Sequence, residues 1–282
     1  MKEITQQNLI LKIVENFVRS NFYMFIFARY IASEFLSKFI YESDFKILRY
    51  LKRSNFFLKN NKKIILDVGA NDGISIKAIR NFVSDVKICS IEPSKTNFEK
   101  LKILKKKFKN LKILNYAVSN NPTTRKKILF QPFYKGFSLS PFDTLNIKDI
   151  FKSMNSCLLI KNVEKKIYIK KSFVRITRID NLNLRPCFIK IDIQGHEYHC
   201  VLGSLQTIKK YLPIIMLEYD LIQHKKIYKV LKKINYKKFF FRSKGKMLTE
   251  HKNEKVFNIF FIHEKTLGII NSEIKIEYRD NN

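Results

Sequence analysis

The residues whose spacing carries most chemistry are the run Ile64-Ile65-Leu66-Asp67-Val68-Gly69-Ala70-Asn71-Asp72-Gly73 and a later acid, Glu92 in Ile91-Glu92-Pro93. An apolar strand, a glycine turn, a helix and a second strand ending in a carboxylate make a nucleoside site. The carboxylate accepts hydrogen bonds from both ribose hydroxyls, and the glycines let the backbone come close to the ligand. Gly73 and Glu92 stand 19 positions apart, against about 20 in nucleotide-binding α/β units. A dinucleotide fingerprint needs G-x-G-x-x-G. Counted from Gly69, its next two glycine positions hold Asn71 and Ile74. The turn that hugs a pyrophosphate is therefore missing, and a ligand without phosphates fits better. S-adenosylmethionine is a ligand of that kind. A plain strand-to-helix turn would account for the first run alone; the paired acid argues against it.

A second dense run, Phe188-Ile189-Lys190-Ile191-Asp192-Ile193-Gln194-Gly195-His196-Glu197, reads as another strand-to-helix turn. Asp192, Gln194 and Glu197 can all face one rim there, and Gly195 allows close backbone approach.

To position these residues the chain must build a sheet. From Lys63 apolar strands alternate with helices, the pattern of a mainly parallel α/β sheet. The spacing predicts strands over 63–68, 86–92, 111–118, 166–178, 188–193 and 213–217, and helices over 74–82, 94–107, 197–211 and 225–234. Residues 238–241 and 257–262 read as a closing hairpin. Open parallel sheets bind ligands beyond the carboxyl ends of their strands, which gathers Asp67, Glu92, Asn115, Asp192 and Glu218 on one rim. A less regular insert runs from 125 to about 166, with Pro132, Gly136 and Pro141 among aromatics and serines. The organisation expected is a helical extension over 1–55, a main domain over 56–265 and a loose polar tail over 266–282.

Composition adds bounds. Fifty-five Lys and Arg against 24 Asp and Glu give a net charge of +31, a balance that usually suggests polyanions. Lys, Asn, Ile and Phe are abundant, Gly numbers only 7 and Trp is absent, which is the imprint of an AT-rich genome on any fold. The lysines are scattered, and no basic stripe with interleaved aromatics marks a nucleic-acid site. Cys89, Cys157, Cys187 and Cys200 have no C-x-x-C spacing and are expected as reduced, buried thiols.

Leu9, Ile10, Ile13, Val14 and Phe17, then Met24, Phe27, Ala28, Ile31, Phe35 and Phe39, recur at helical spacing. This aromatic face is flanked by Lys and Arg. Two uses compete: helices packed on the main domain or in a homodimer interface, which is the favoured one, and a peripheral helix on an anionic membrane. No window reaches the ~18 consecutive apolar residues of a membrane span, and no basic-then-apolar leader with a cleavage site is visible. The expected location is cytoplasmic, with contact at the inner membrane face under the second use.

Seven short motifs then fall in a known order: Leu66-Asp67-Val68-Gly69-Ala70-Asn71-x-Gly73, Ile91-Glu92-Pro93, Asn115-Tyr116-Ala117-Val118, Ile179-Asp180-Asn181-Leu182, Lys190 to Glu197, Val201-Leu202-Gly203 and Pro213 to Glu218. In this the chain resembles the FkbM family of S-adenosylmethionine-dependent methyltransferases, over roughly residues 63 to 220. The resemblance implies a class I methyltransferase (Rossmann-like) fold with helices on both faces of the sheet. It also implies O-methylation of sugars or other hydroxylated metabolites, hence a place in polysaccharide biosynthesis. Gln194 stands where the family often has Glu, which bears on the base or the substrate.

Methyl transfer from a sulfonium needs little beyond positioning, so each residue gets a simple task. Asp67, Gly69, Asn71 and Gly73 shape the cofactor turn, Glu92 holds the ribose, and Asn115 and Ala117 lie near the adenine edge. A sugar hydroxyl loses its proton during attack, so a general base helps. Asp192 ranks first by its strand-end position and Glu197 second by its family motif. His196 is a third candidate, more readily read as an exposed residue at a helix start. Gln194 and Ser138 are substrate contacts, with Tyr134, Phe137 and Ser140 on the same insert. His196, His199 and Asp192 lack H-E-x-x-H spacing, and no metal is expected. Two alternatives stay open. For an RNA methyltransferase, N-methylation of a base would favour an Asn- or Asp-Pro-Pro-aromatic element at the fourth strand end, a place held here by Asp192-Ile193-Gln194-Gly195. A catalytically silent fold acting as a membrane or assembly partner would not need intact cofactor motifs.

Overall fold

A computed structural model of the 282-residue chain describes residues 16–31, 43–60, 63–121, 126–242, 246–250 and 258–278. The strand β1 (Ile64–Val68), the middle one of five parallel strands, is built largely from β-branched and apolar residues that suit a sheet buried on both faces. Beside it lie β2 (Ile88–Ile91) and then β3 (Leu111–Leu114). On its other side lie β8 (Pro186–Ile191) and β9 (Ile214–Glu218). All these pairings are parallel. An antiparallel strand, β12 (Asn258–His263), follows, then β10 (Tyr236–Arg242), β11 (Met247–Thr249) and β13 (Lys275–Glu277), completing nine strands. The chain runs outward from β1 in both directions, so β1 and β8 flank the point where strand order reverses, the place such sheets hold ligands.

Helices cover both faces. Leu66 and Val68 of β1 face the core closed by α7 (Glu197–Leu202), α8 (Leu205–Tyr211) and α9 (Leu221–Leu231). Ile65 faces the other core, under α4 (Ile74–Phe82) and α5 (Lys95–Lys107). The strand's two-residue period thus puts Asp67 on the α4 side.

Three departures from the sequence reading have physical reasons. The strand read over 111–118 breaks at Asn115, and β4 (Ala117–Val118) leaves for a second sheet. The insert is more regular than read: β5 (Lys126–Tyr134) pairs antiparallel with β7 (Tyr168–Thr177), in register from Lys126↔Arg175 to Phe133↔Tyr168. With β4 and β6 (Phe137–Ser138) they make a four-stranded sheet. Helix α6 (Ile147–Cys157) packs on it through Ile150 and Met154. The tail read from 266 is instead built into the domain to Glu277. Leu267 and Ile270 of α10 (Glu264–Ile270) are buried, and β13 pairs with β11.

The boundary read at residue 55 also moves. Helix α1 (Phe22–Ile31) packs on the insert, with Phe22 beside Leu139, Phe142 and Met154. Phe45, Leu48 and Leu51, around α2 (Ile47–Arg53), are fully buried in the main core, and the short α3 (Phe56–Lys59) follows. The periodic positions Leu9 to Val14 and Phe35 to Phe39 lie outside the described residues. Among the described residues no helix is long and apolar enough to cross a membrane. Cys89, Cys187 and Cys200 are buried as read, while Cys157 is exposed at the end of α6.

Candidate active site

At the carboxyl ends of β1, β2 and β8 opens a cavity of about 340 Å³, and Gly69, Asn71, Glu92, Ala117, Asp192 and Gln194 are among its lining. Its first wall is the turn after β1. Gly69 has φ +82, and an added Cβ would lie 1.9 Å from the Asp192 carbonyl oxygen. Glycine is needed because two strand ends meet at van der Waals limits here. Asn71 is left-handed at φ 48 and donates its backbone N–H to Glu92 Oε2 at 2.8 Å. Ser94 N–H reaches Oε1 at 2.9 Å. Each carboxylate oxygen so held keeps a second lone pair on a side chain that lines the cavity. Burial pushes Glu92 up to about 8, against its two backbone hydrogen bonds.

Three residues read as cofactor-binding, Asp67, Gly73 and Asn115, do not line the cavity. Asp67 is fully buried beneath the turn, where Ser75 and Ser90 donate to its Oδ2 at 2.8 and 3.2 Å. It braces β1 against α4 and β2. Gly73 has φ +87, and a Cβ there would meet Leu104 of α5 at 2.2 Å, so it serves helix packing. Asn115 turns its amide to the Glu92 and Pro93 carbonyls, at 2.9 and 3.0 Å. It fixes the end of β2, and the cavity is lined by Tyr116, Ala117 and Val118 instead.

The second wall is the turn after β8. Lys190, a charged side chain inside an apolar strand, is 3% exposed. Its ammonium lies 3.1 Å from Asp192 Oδ2 and 3.7 Å from Asp67 Oδ1. A buried cation needs such partners. Asp192 keeps a partly exposed carboxylate, and Gln194 Nε2 reaches its Oδ1 at 3.4 Å and Glu218 Oε2 at 3.5 Å. Gln194 is left-handed, at φ 47, and its carbonyl accepts from Thr144 Oγ1 at 2.9 Å.

Glu197 does not join this wall. It is 4% exposed, and its Oε1 accepts the N–H groups of Ile193 and Gly195, both at 3.2 Å. It holds the turn from below. His196 is not the exposed residue expected: it is buried, lines the cavity, and its Nε2 shares a hydrogen bond with Ser119 Oγ at 3.0 Å. Burial lowers it to about 3, so it is neutral. Among the described residues no group of three or more His, Cys, Asp or Glu is placed to hold a metal ion.

Glu197 yields a test of stability against pH. Burial raises its folded-state pKa to about 7, above the ~4.3 of an unfolded glutamate. The native state therefore holds a proton that the unfolded chain releases. Stability from this group is present below about pH 4 and lost as pH rises through about 7. Glu197→Gln keeps an oxygen for both N–H groups and cannot titrate. It should lose up to about 3 kcal/mol less stability than the native protein between pH 4 and 8, read by denaturant unfolding at each pH. Parallel curves for the two proteins would refute the assignment.

The third wall was only partly read in the sequence, which named Ser140 on the insert but neither Asp143 nor Thr144. Ser140, Asp143 and Thr144, from the insert, line the cavity. Ser140 pairs with Asn71, donating to Oδ1 at 2.9 Å and accepting from Nδ2 at 3.2 Å. Gln131 donates to Asp143 Oδ2 at 2.8 Å and Ser94 Oγ at 3.1 Å, and accepts from Ser172 at 3.0 Å. Asp143 Oδ1 is buried with no hydrogen-bond partner, and burial raises the carboxyl to about 7. Ser138, read as a substrate contact, lies outside this cavity on a neighbouring groove.

A glycine cradle, a strand-end carboxylate with spare lone pairs and an unsatisfied acceptor fit an adenosyl group. Comparison with known families decides the matter: the Methyltransferase FkbM domain matches residues 67–238. The chain belongs to the FkbM methyltransferase family. Its methyl donor is accordingly S-adenosylmethionine. Among solved structures it is similar to the methyltransferase FkbM from Methylobacillus flagellatus KT, with a TM-score of 0.42 and 13% identity, over 71% of this chain and 43% of that one. It is also similar to the plantazolicin methyltransferase BpumL in complex with SAH, with a TM-score of 0.41 and 8% identity over 93% and 99% of the two chains. The chain thus spans less than half the length of the first of these. No curated protein matches it. In this FkbM methyltransferase the walls from β1, β2, the insert and the turn after β8 meet around one cavity.

Proposed function

We propose that this methyltransferase transfers a methyl group to a hydroxyl of a sugar, a polysaccharide or another hydroxylated small molecule. One observation carries the reading: a partly exposed carboxylate, Asp192, stands in the donor cavity with its backbone against Gly69. S-adenosylmethionine supplies a methyl already activated on a sulfonium. The chain's own part is to hold and orient, and to take a proton.

Glu92 would accept the two ribose hydroxyls through its free lone pairs, and Asp143 Oδ1 would take an N–H or O–H donor of the same ligand. Ala117 and Tyr116 offer the flat contact a base requires. Asp192 would receive the acceptor hydroxyl's proton. Lys190 and Gln194 hold its two oxygens in place, and Gln194 and Glu218 add polar contacts at the cavity.

Two measurements test this. Glu92→Ala should weaken S-adenosylmethionine binding by about 2–3 kcal/mol, a factor of about 30 to 150, by calorimetry. Unchanged affinity would remove the ribose role. For the acceptor, labelled donor is offered with a panel of saccharides and other polyhydroxylated compounds. The product should be a methyl ether, stable to base. A base-labile methyl ester, or label only on amines or on the bases of RNA, would overturn the hydroxyl reading.

A further inference from the structure

Helix α1 is apolar on both faces. Its inner face packs, Phe22 stacking on Tyr134 at 4.3 Å and Phe25 on Phe142 at 5.8 Å. Its outer face carries Tyr23, Phe27 and Tyr30, spaced four and three residues apart and 46%, 57% and 59% exposed. A helix with apolar residues all round needs cover on both sides. The outer stripe continues into Phe137, 49% exposed and edge-on to Tyr23 at 6.0 Å, and Ile103 of α5 is 67% exposed. Between α1 and α5 lies a groove of about 650 Å³, lined by Ile26, Ile103 and Leu104 together with Lys100, Lys106 and Lys107. Lys135 adds a cation 5.9 Å from the Tyr23 ring. Exposed aromatics beside clustered lysines have the composition of a helix lying at an anionic interface.

We propose that this face docks onto an anionic membrane leaflet, with Tyr23, Phe27 and Tyr30 at the headgroup–acyl boundary and Lys100, Lys106 and Lys107 against lipid phosphates. Ser140 and Pro141 line both the groove and the donor cavity. Docking therefore brings the catalytic mouth to the bilayer surface, where a membrane-anchored acceptor is within reach. The surface does not depend on which atom of the acceptor is methylated, and its test needs no turnover.

The test must separate this face from the chain's overall +31 charge. The full chain is mixed with vesicles of phosphatidylcholine alone, or with about a third phosphatidylglycerol, at ~0.15 M salt. Binding is expected to the anionic vesicles only. Phe27→Ser with Tyr30→Ser leaves the net charge unchanged and should weaken partitioning about tenfold or more. Lys106→Glu with Lys107→Glu should weaken it at least as much. Lys209→Glu with Lys210→Glu makes the same charge change on exposed residues of α8, across the sheet, and should leave most of the binding. The lysine pairs keep the test decisive if the serine pair fails to fold. Undiminished binding by the serine pair, equal loss in both glutamate pairs, or no binding to anionic vesicles overturns the proposal. So does a concentration-dependent dimer that the serine pair abolishes, since the stripe would then be covered by a second copy.

Discussion

Gly69→Ala is expected to cripple donor binding and to destabilise the fold strongly, whereas Gly136→Ala should leave donor binding intact and cost only its backbone strain. The two glycines share a backbone conformation, φ +82 and +85, so both substitutions carry the strain of a left-handed alanine, about 1 kcal/mol or somewhat more. Their surroundings differ. A Cβ on Gly136 meets nothing within 4 Å, while one on Gly69 lies 1.9 Å from the Asp192 carbonyl oxygen and 2.9 Å from Ile193 Cγ2. The first of these contacts is backbone and cannot swing aside. Asp192 N–H bonds Val68 carbonyl at 3.0 Å, so β1 and β8 must part where the cavity begins. Overpacking adds about 1–3 kcal/mol, for a total loss of about 2–4 kcal/mol. The donor's Kd should rise about a hundredfold or more, since both cavity walls move. Denaturant unfolding and calorimetry with S-adenosylhomocysteine read the two effects. A Gly69→Ala protein that binds within about tenfold of the native affinity would mean that this turn does not cradle the ligand.

What the sequence made legible was local. The runs around β1, the end of β2 and β8 each contain strand, turn and helix start within about ten residues, and their order places them on one rim. What it hid was direction and distance. Asp67 and Asp192 both follow an apolar run, yet the strand period sends Asp67 under α4 to meet Ser75 and Ser90. The hydroxyl eight residues on was the available clue. Glu197 looks as exposed as Asp192 in the sequence, but it caps its own turn through two N–H groups. Acids at a helix start commonly do this. Ser140 was named with the insert, but Asp143 and Thr144 were out of reach because they arrive beside a ribbon whose strands pair across about forty residues, Phe130 with Lys171. Nothing in their spacing points to the cavity. The seven motifs were sufficient for the family but not for the third wall, which lies in the stretch between them.

That difference between two acids of one motif gives the second large expectation. Asp192→Asn should lower kcat by about 10²–10⁴ while leaving donor affinity within a few-fold, and Glu197→Gln should leave kcat near native. Asparagine is isosteric, so its amide can still face Lys190, but it cannot take a proton from a hydroxyl. Loss of one charge beside Lys190, which is held 3.1 Å from Asp192 and 3.7 Å from Asp67, acts on stability, so unfolding must be measured alongside. The comparison with Lys190 guards against a purely structural account. If Asp192 served only to neutralise the ammonium, Lys190→Met with Asp192→Asn and Asp67→Asn would restore turnover by removing the buried cation together with both these carboxylates. If Asp192 is the base, the triple variant stays as slow as Asp192→Asn alone. Full activity in Asp192→Asn would reject proton transfer to this carboxylate. It would leave Glu218, joined to the same Gln194 amide at 3.5 Å, as the next strand-end acid to test.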